Sequence, residues 1–204
     1  GRVIDFRLGD AGRALEVQLQ GAKSLPENVA ADMLILYCLA YLGRRAEVAE
    51  MLERRVVARP GIGSNKDEMS PCFDIAALQA AVLAGHRRAA ELLMRRLASS
   101  SIRTGGLWLT TCVGRHLGGA AALLGRHEEA RKHYQEAIKV CAEIKFRPEL
   151  ALTRLQLAEL LLEHYPKERA EALEHLDFAI AEFRDMKMQP SLERALRHKE
   201  ILKA

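Results

Sequence analysis

Leu117 to Ile138 reads LGGAAALLGRHEEARKHYQEAI. Two amphipathic helices joined by a tight turn at Gly125-Arg126 account for the pattern. Apolar or small residues fall at Val113, Leu117, Ala120, Ala121 and Leu124 before the turn. After it they fall at Ala130, Tyr134, Ala137, Ile138 and Cys141. Steps of three and four residues place each set on one helix face. Small residues (Gly118, Ala121, Ala130, Ala137) suit the lines along which two helices approach closely. Leu117, Tyr134 and Ile138 fill the space between them.

The same unit recurs along the chain. Turn glycines stand at Gly9, Gly43, Gly85 and Gly125, separated by 34, 42 and 40 residues, and Pro26 and Pro60 repeat the 34-residue step. A period of about 34 is the length of one stacked helix–turn–helix repeat. Five residues after each glycine come Ala14, Val48, Ala90 and Ala130, mostly the small residue that close helix contact requires. The expected fold is therefore all-α: a right-handed superhelix of antiparallel helical hairpins, with about ten helices. Residues 1–204 read as a single helical-repeat domain. An incomplete repeat at 1–26 implies that the natural polypeptide continues upstream. Hairpins are expected at 27–60, 71–100, 107–146 and 148–188, and a capping helix at 191–204, with Ser191 as its N-cap. Leucines at 150, 152, 155, 157, 160, 161 and 162 run nearly all round one helix, which should be buried between neighbours. The join Pro60–Pro71, PGIGSNKDEMSP, reads as a loop and as the most mobile stretch.

Composition supports an all-α chain. Hydrophobic residues make up 49% and aromatic ones 5%, with alanine and leucine dominant, which suits close-packed helices better than sheets. No run of 18 uncharged apolar residues and no signal-peptide pattern occurs, so a cytoplasmic protein is expected, with no membrane span. The net charge of +4 comes from 31 basic and 27 acidic residues, thinly interleaved. The doublets Arg44-Arg45, Arg54-Arg55, Arg87-Arg88 and Arg95-Arg96 are the one feature that could meet phosphates. They read more simply as solvated turn and helix-face residues, which disfavours a nucleic-acid partner. Cys38, Cys72, Cys112 and Cys141 lack CxxC spacing and read as free thiols, most of them buried.

Several blocks together point to a family. They are CVGRHLG over 112–118, LGRHEEARKHYQEAI, Arg147-Pro148 followed by ALTRLQLAELLL, and KERAEALEHLDFAIAEF. They resemble the C-terminal tetratricopeptide-like region of bacterial multidomain signalling ATPases, among them AAA ATPases fused to class III adenylate/guanylate cyclase domains. They are also similar to the related LuxR- and MalT-type regulators. The resemblance is clearest from about residue 107 to 190. It implies a helical solenoid that senses a partner or ligand and relays this to an upstream ATPase or cyclase.

Catalytic chemistry is not legible in the sequence. No GxxxxGK[ST] loop, HExxH or zinc-like His/Cys spacing occurs, so no metal, cofactor or enzymatic activity is expected. Cys112 and His116 are the one nucleophile–base pair at helical spacing, without an orienting acid or oxyanion donor. Binding is the remaining class. Aligning Leu36, Leu78, Gly118 and Ala158 as equivalent positions places Met33, Tyr37, Tyr41, Gln79, Cys112, Arg115, Glu159 and Glu163 on the concave side. Arg115 stands out as a charge within a helix of small apolar residues, where burial requires a partner; an internal salt bridge, for instance to Glu159, is the competing reading. Tyr37 and Tyr41 are equally suited to packing between repeats. The expected partner is a protein or peptide, including upstream domains of the same polypeptide, with a homodimer as a further arrangement. A small-molecule effector in the groove is the alternative.

Overall fold

The computed structural model describes residues 11–22, 29–64, 66–106 and 110–201. Gly9, Pro26, Leu107 and the last three residues, on which parts of the sequence reading rest, lie outside this set. The helices are α1 (Ala11–Ala22), α2 (Val29–Tyr41), α3 (Arg45–Leu52), α4 (Pro71–Ala84), α5 (Arg87–Ala98), α6 (Val113–Leu123), α7 (His127–Glu143), α8 (Arg147–His164), α9 (Arg169–Asp185) and α10 (Gln189–Ile201). A π-helical turn, Glu53–Val57, extends α3, and a 3-10 turn, Pro166–Glu168, leads into α9. The chain is an all-α superhelix. Helices α2, α4, α6 and α8 stack as an inner row, while α3, α5, α7 and α9 return antiparallel outside them. Helix α10 packs on α9 and, more lightly, on α8.

Position in the stack explains composition. Helix α4 touches neighbours on every side, and Phe73, Ile75, Ala76, Ala77, Leu78, Ala80 and Ala81 are all buried. Helix α8 is similar, with Leu155, Leu157, Leu160 and Leu161 buried. The outer helix α5 buries one face only, through Ala89, Ala90, Leu93, Met94 and Leu97, as an amphipathic surface helix does.

Five of the joins between described helices use one device. The backbone amide two or three residues past the helix donates to the carbonyl five residues back: Arg44 to Leu39 at 3.0 Å, His86 to Ala81 at 2.8 Å and Arg126 to Ala121 at 2.9 Å. The residue between sits in the left-handed region: Gly43 at φ 71°, Gly85 at 76° and Gly125 at 80°. This is the Schellman arrangement, which satisfies carbonyls orphaned at a helix end. The same bond closes α7 (Phe146 to Cys141, 2.8 Å) and α9 (Met188 to Phe183, 2.9 Å). There the left-handed residue is Lys145 at φ 55° or Lys187 at φ 57°. Both stand in the pattern apolar-Lys-apolar-x-Pro, 42 residues apart (IKFRP, MKMQP), a repeated signal that a search for glycine alone passes over. A side chain at positive φ costs about 1–2 kcal/mol. Lys187→Gly is therefore expected to raise the urea midpoint, corresponding to about 0.5–1 kcal/mol; an unchanged or lower midpoint would contradict the strain.

The join before α4 is tied down rather than loose. Arg96 binds Asp67 at 2.6 Å, Asp74 at 2.5 Å and the carbonyl of Met69 at 2.8 Å, and Arg59 binds Asp74 at 2.8 Å. The two carboxylates are almost wholly buried. Burial pushes the Asp74 carboxyl up against the pull of both arginines. At Asp67 burial is outweighed by the amides of Gly63 and Met69 and by the arginines, which hold it below the usual range. The physical reason for the difference from expectation is that Asp67, one of the loop's two acidic residues, meets guanidinium groups from both flanking segments.

At least one arginine of each doublet makes an internal contact. Arg44 pairs with Glu47, Arg55 with Asp32 and Arg95 with Glu91, while Arg87 caps the carbonyls of Leu123 and Leu124. Two boundaries also move. Helix α6 begins at Val113, because Thr111 and Cys112 are extended and pair with the chain at Arg103–Gly105. Helix α10 begins at Gln189, so Ser191 lies inside its first turn. Pro190 fits there because a first-turn residue needs no amide hydrogen.

Candidate binding site on the inner face

The inner row converges on a buried polar cluster. Arg115 on α6 is 3% exposed and Glu149, in the first turn of α8, is 1% exposed. Arg115 Nε donates to Glu149 Oε2 at 2.8 Å. That oxygen also accepts from the Thr111 hydroxyl at 2.7 Å and from the Cys112 backbone amide at 2.9 Å. His116 places Nε2 2.7 Å from Thr111 Oγ1 and Nδ1 2.7 Å from Gln79 Oε1. Arg115 Nη1 reaches Gln79 at only 3.5 Å. Burial works against the Arg115 charge, but Glu149, Tyr41 and Tyr37 outweigh it and hold the guanidinium protonated.

Local sequence explains how the cluster is built. The extended backbone at Thr111-Cys112 leaves an amide and a hydroxyl directed at α8 instead of into a helix. Pro148 starts α8 and brings Glu149 into its first turn, where a carboxylate also complements the helix dipole.

Above the cluster lies a pocket of about 170 Å³. Tyr37 and Tyr41 of α2 form one wall, with ring centroids 5.0 Å apart and hydroxyls 3.4 Å apart. Gln79 and Leu83 of α4, Arg115 of α6, and Leu152, Leu155 and Gln156 of α8 line the floor. Met188, Pro190, Ser191 and Arg194, at the start of α10, close one end. Burial pushes the Tyr37 hydroxyl well above its usual range, with Tyr41 adding to it, so it stays protonated as a donor.

Of the residues placed on the concave side from sequence, Tyr37, Tyr41, Gln79 and Arg115 meet at this pocket. The other four do not. Met33 is buried in the hydrophobic core. Cys112 is buried against Ala137, Val140 and Cys141, because the extended segment before α6 turns its side chain toward α7. Glu159 pairs with Arg194 and His198 of α10. Burial alone would raise its carboxyl, but those two partners hold it below the usual range. Glu163 is largely exposed near the end of α8. The partner of Arg115 is therefore Glu149, and Glu159 is engaged by the cap. Cys112 and His116 do not form a nucleophile–base pair, since His116 turns to Thr111 and Gln79.

Glu149, Thr111, Gln156 and the α10 residues went unnoticed in the sequence. Glu149 had a signal. Paired side chains here lie close to one repeat apart: Glu91 with Arg126, Arg147 with Glu182 and Glu159 with Arg194 are each separated by 35 residues. The same step from Arg115 lands beside Glu149, 34 residues on.

Residues 110–183 match the family model of the tetratricopeptide repeat. The tetratricopeptide-like fold extends beyond that segment. The structure is similar to the crystal structure of MamA, with a TM-score of 0.50, 17% identity, and coverage of 90% of this chain and 94% of that one. No curated protein matches the chain. Tetratricopeptide repeats are in general non-catalytic scaffolds that mediate protein–protein interaction, and residues 110–183 match that repeat. No helix among the described residues is long and apolar enough to cross a membrane.

Proposed function

We propose that the chain is the interaction and sensor module of a larger cytoplasmic bacterial signalling or transcriptional regulator, and that it binds a partner protein or peptide on its concave face. The observation that carries this reading is the pocket formed by Tyr37, Tyr41, Gln79 and Arg115, four residues from three successive inner helices. Its size favours one class of occupant. Small-molecule sites run to about 300–1,000 Å³, whereas a cavity of roughly 150 Å³ holds one benzene-sized group. About 170 Å³ therefore suits one apolar or aromatic side chain of a peptide, with the tyrosine hydroxyls and Gln79 left to meet its backbone. An upstream domain of the same polypeptide, or a second copy, can supply that side chain. One arginine or more of each doublet is engaged by carboxylates or carbonyls, which weakens the case for phosphate binding.

Peptides selected from a random library against the whole chain test this. Tyr41→Ala, at a half-exposed position, and Ser191→Trp, which puts a bulky ring into the pocket, are each expected to weaken binding tenfold or more, about 1.4 kcal/mol, with the fold intact. Selected peptides that bind both variants as tightly as the parent would place the binding surface elsewhere. Displacement of bound peptide by a small metabolite at micromolar concentration would favour an effector site instead.

A further inference from the structure

On the opposite side of α6 from the pocket, two thiols meet. Cys112 stands at the N-cap of α6 and Cys141 on α7. Both are free and buried, and they share a small core cluster with Ala137 and Val140. Cys112 and Cys141 are the two sulfur-bearing members of that four-residue cluster. The Cys112 sulfur faces the first-turn amides of Gly114 and Arg115, without closing a full capping bond. Cys112 further lines a separate cavity of about 120 Å³, together with Arg103, His133, Glu136 and Val140. The pair therefore has what an oxidisable dithiol requires: two buried thiols in one small cluster, one of them at the N-terminus of a helix, and space beside that one for a small reagent.

We infer that Cys112 and Cys141 are a peroxide-oxidisable dithiol, with Cys112 the attacking thiolate and Cys141 the resolving thiol. The Cys112 thiolate attacks one oxygen of hydrogen peroxide and breaks the O–O bond. With one proton taken up, water leaves and a sulfenic acid remains. The Cys141 sulfur then attacks the sulfenic sulfur; its proton and the hydroxyl leave as a second water, and the S–S bond joins the start of α6 to α7. The peroxide is reduced and the two thiols are oxidised by two electrons. The neighbouring Cys141 thiol and the helix amides lower the Cys112 thiol against its burial, while Cys141 is pushed up. That direction favours the thiolate, the reactive form, at Cys112. The cavity admits a molecule of peroxide size but not a glutathione-sized disulfide. The Cys112 amide also donates to Glu149, so the bridge would form next to the carboxylate that holds Arg115. The chemistry itself does not depend on what the inner face binds.

The test treats the reduced whole chain with hydrogen peroxide under native conditions, blocks remaining thiols with N-ethylmaleimide and maps the peptides by mass. The expected result is loss of two hydrogen atoms, with the peptide carrying residue 112 joined to that carrying 141, while Cys38 and Cys72 are alkylated. In Cys141→Ser, dimedone is expected to label Cys112. In Cys112→Ser, Cys141 is expected to stay unlabelled. Oxidised glutathione in place of peroxide is expected to leave all four thiols free. The proposal is overturned if residues 112 and 141 remain thiols in native wild-type protein while Cys72 reacts, or if the sulfenic acid forms on Cys141. Mapping of the wild type decides the matter even where a serine variant does not fold.

Discussion

Glu149→Ala is expected to lower stability by about 3–5 kcal/mol, the cost of leaving a buried charge without its partner. Three donors converge on one Glu149 oxygen: the Arg115 guanidinium, the Thr111 hydroxyl and the Cys112 amide. All sit where water does not reach, so truncation strands a cation and two polar groups at once. For a chain of this length the thermal midpoint should fall by roughly 10 °C. Two comparisons sharpen the expectation. Glu159→Ala removes a pair whose arginine is 44% exposed, and is expected to cost about 1 kcal/mol or less. The double replacement Arg115→Met with Glu149→Leu removes both charges and should recover most of the loss, because the attraction of a buried pair only roughly offsets its desolvation. Thermal and urea unfolding followed by circular dichroism measure all three. A Glu149→Ala midpoint within a degree or two of the parent would contradict the account, as would a double variant less stable than the single.

Gly118→Ala should be nearly as damaging, although it adds one methyl group and raises helix propensity. A β-carbon at this position would lie 2.5 Å from two ring carbons of Tyr134 and 2.9 Å from a third. The Tyr134 ring is buried between α6 and α7 and held at its root, so it cannot swing away as a flexible side-chain tip could. Overpacking of this kind costs about 1–3 kcal/mol. The intrinsic gain of alanine over glycine in a helix, about 1 kcal/mol, works in the opposite direction and should be outweighed. Gly12, near the start of α1, has nothing within 4 Å of its β-carbon position. Gly12→Ala is accordingly expected to be neutral or stabilising, and it serves as the control. Combining Gly118→Ala with Tyr134→Leu should cost less than the sum of the two single changes, since they compete for one space. Strict additivity would show that the contact is not what limits residue 118.

Much of the architecture was legible because it rests on local rules. Periods of three and four residues, and left-handed turn residues at repeat-length steps, are written in the chain. The contact of Gly118 with Tyr134 follows from a small residue on one helix facing a large one on the next. The breaks near Lys145 and Lys187 were legible, but not their left-handed conformation, because lysine carries no intrinsic signal for positive φ; the tertiary stack imposes it. The loop before α4 was misjudged for a similar reason. Its composition is that of a mobile segment, and only the approach of Arg59 and Arg96 from flanking segments ties Asp67 down.

The candidate site divides the same way. Arg115 was conspicuous as a charge amid small apolar residues, and Tyr37, Tyr41 and Gln79 fell on the inner face by counting along the repeat. Which carboxylate would meet Arg115 was a different kind of question. Glu159 and Glu149 lie on one helix, and the choice depends on how α8 slides and rotates against α6. The structure sets that register by the extended step at Thr111-Cys112 and by α10, which takes Glu159 through Arg194 and His198. By itself, then, the sequence determined the helical hairpins, their turns and the face each helix buries, because these depend on residues within about one turn of each other. Only the tertiary structure decided the pairing of Arg115 with Glu149, the closure of the pocket by α10 and the meeting of Cys112 with Cys141, because each depends on the register between neighbouring helices, and periodicity within one helix carries no record of it.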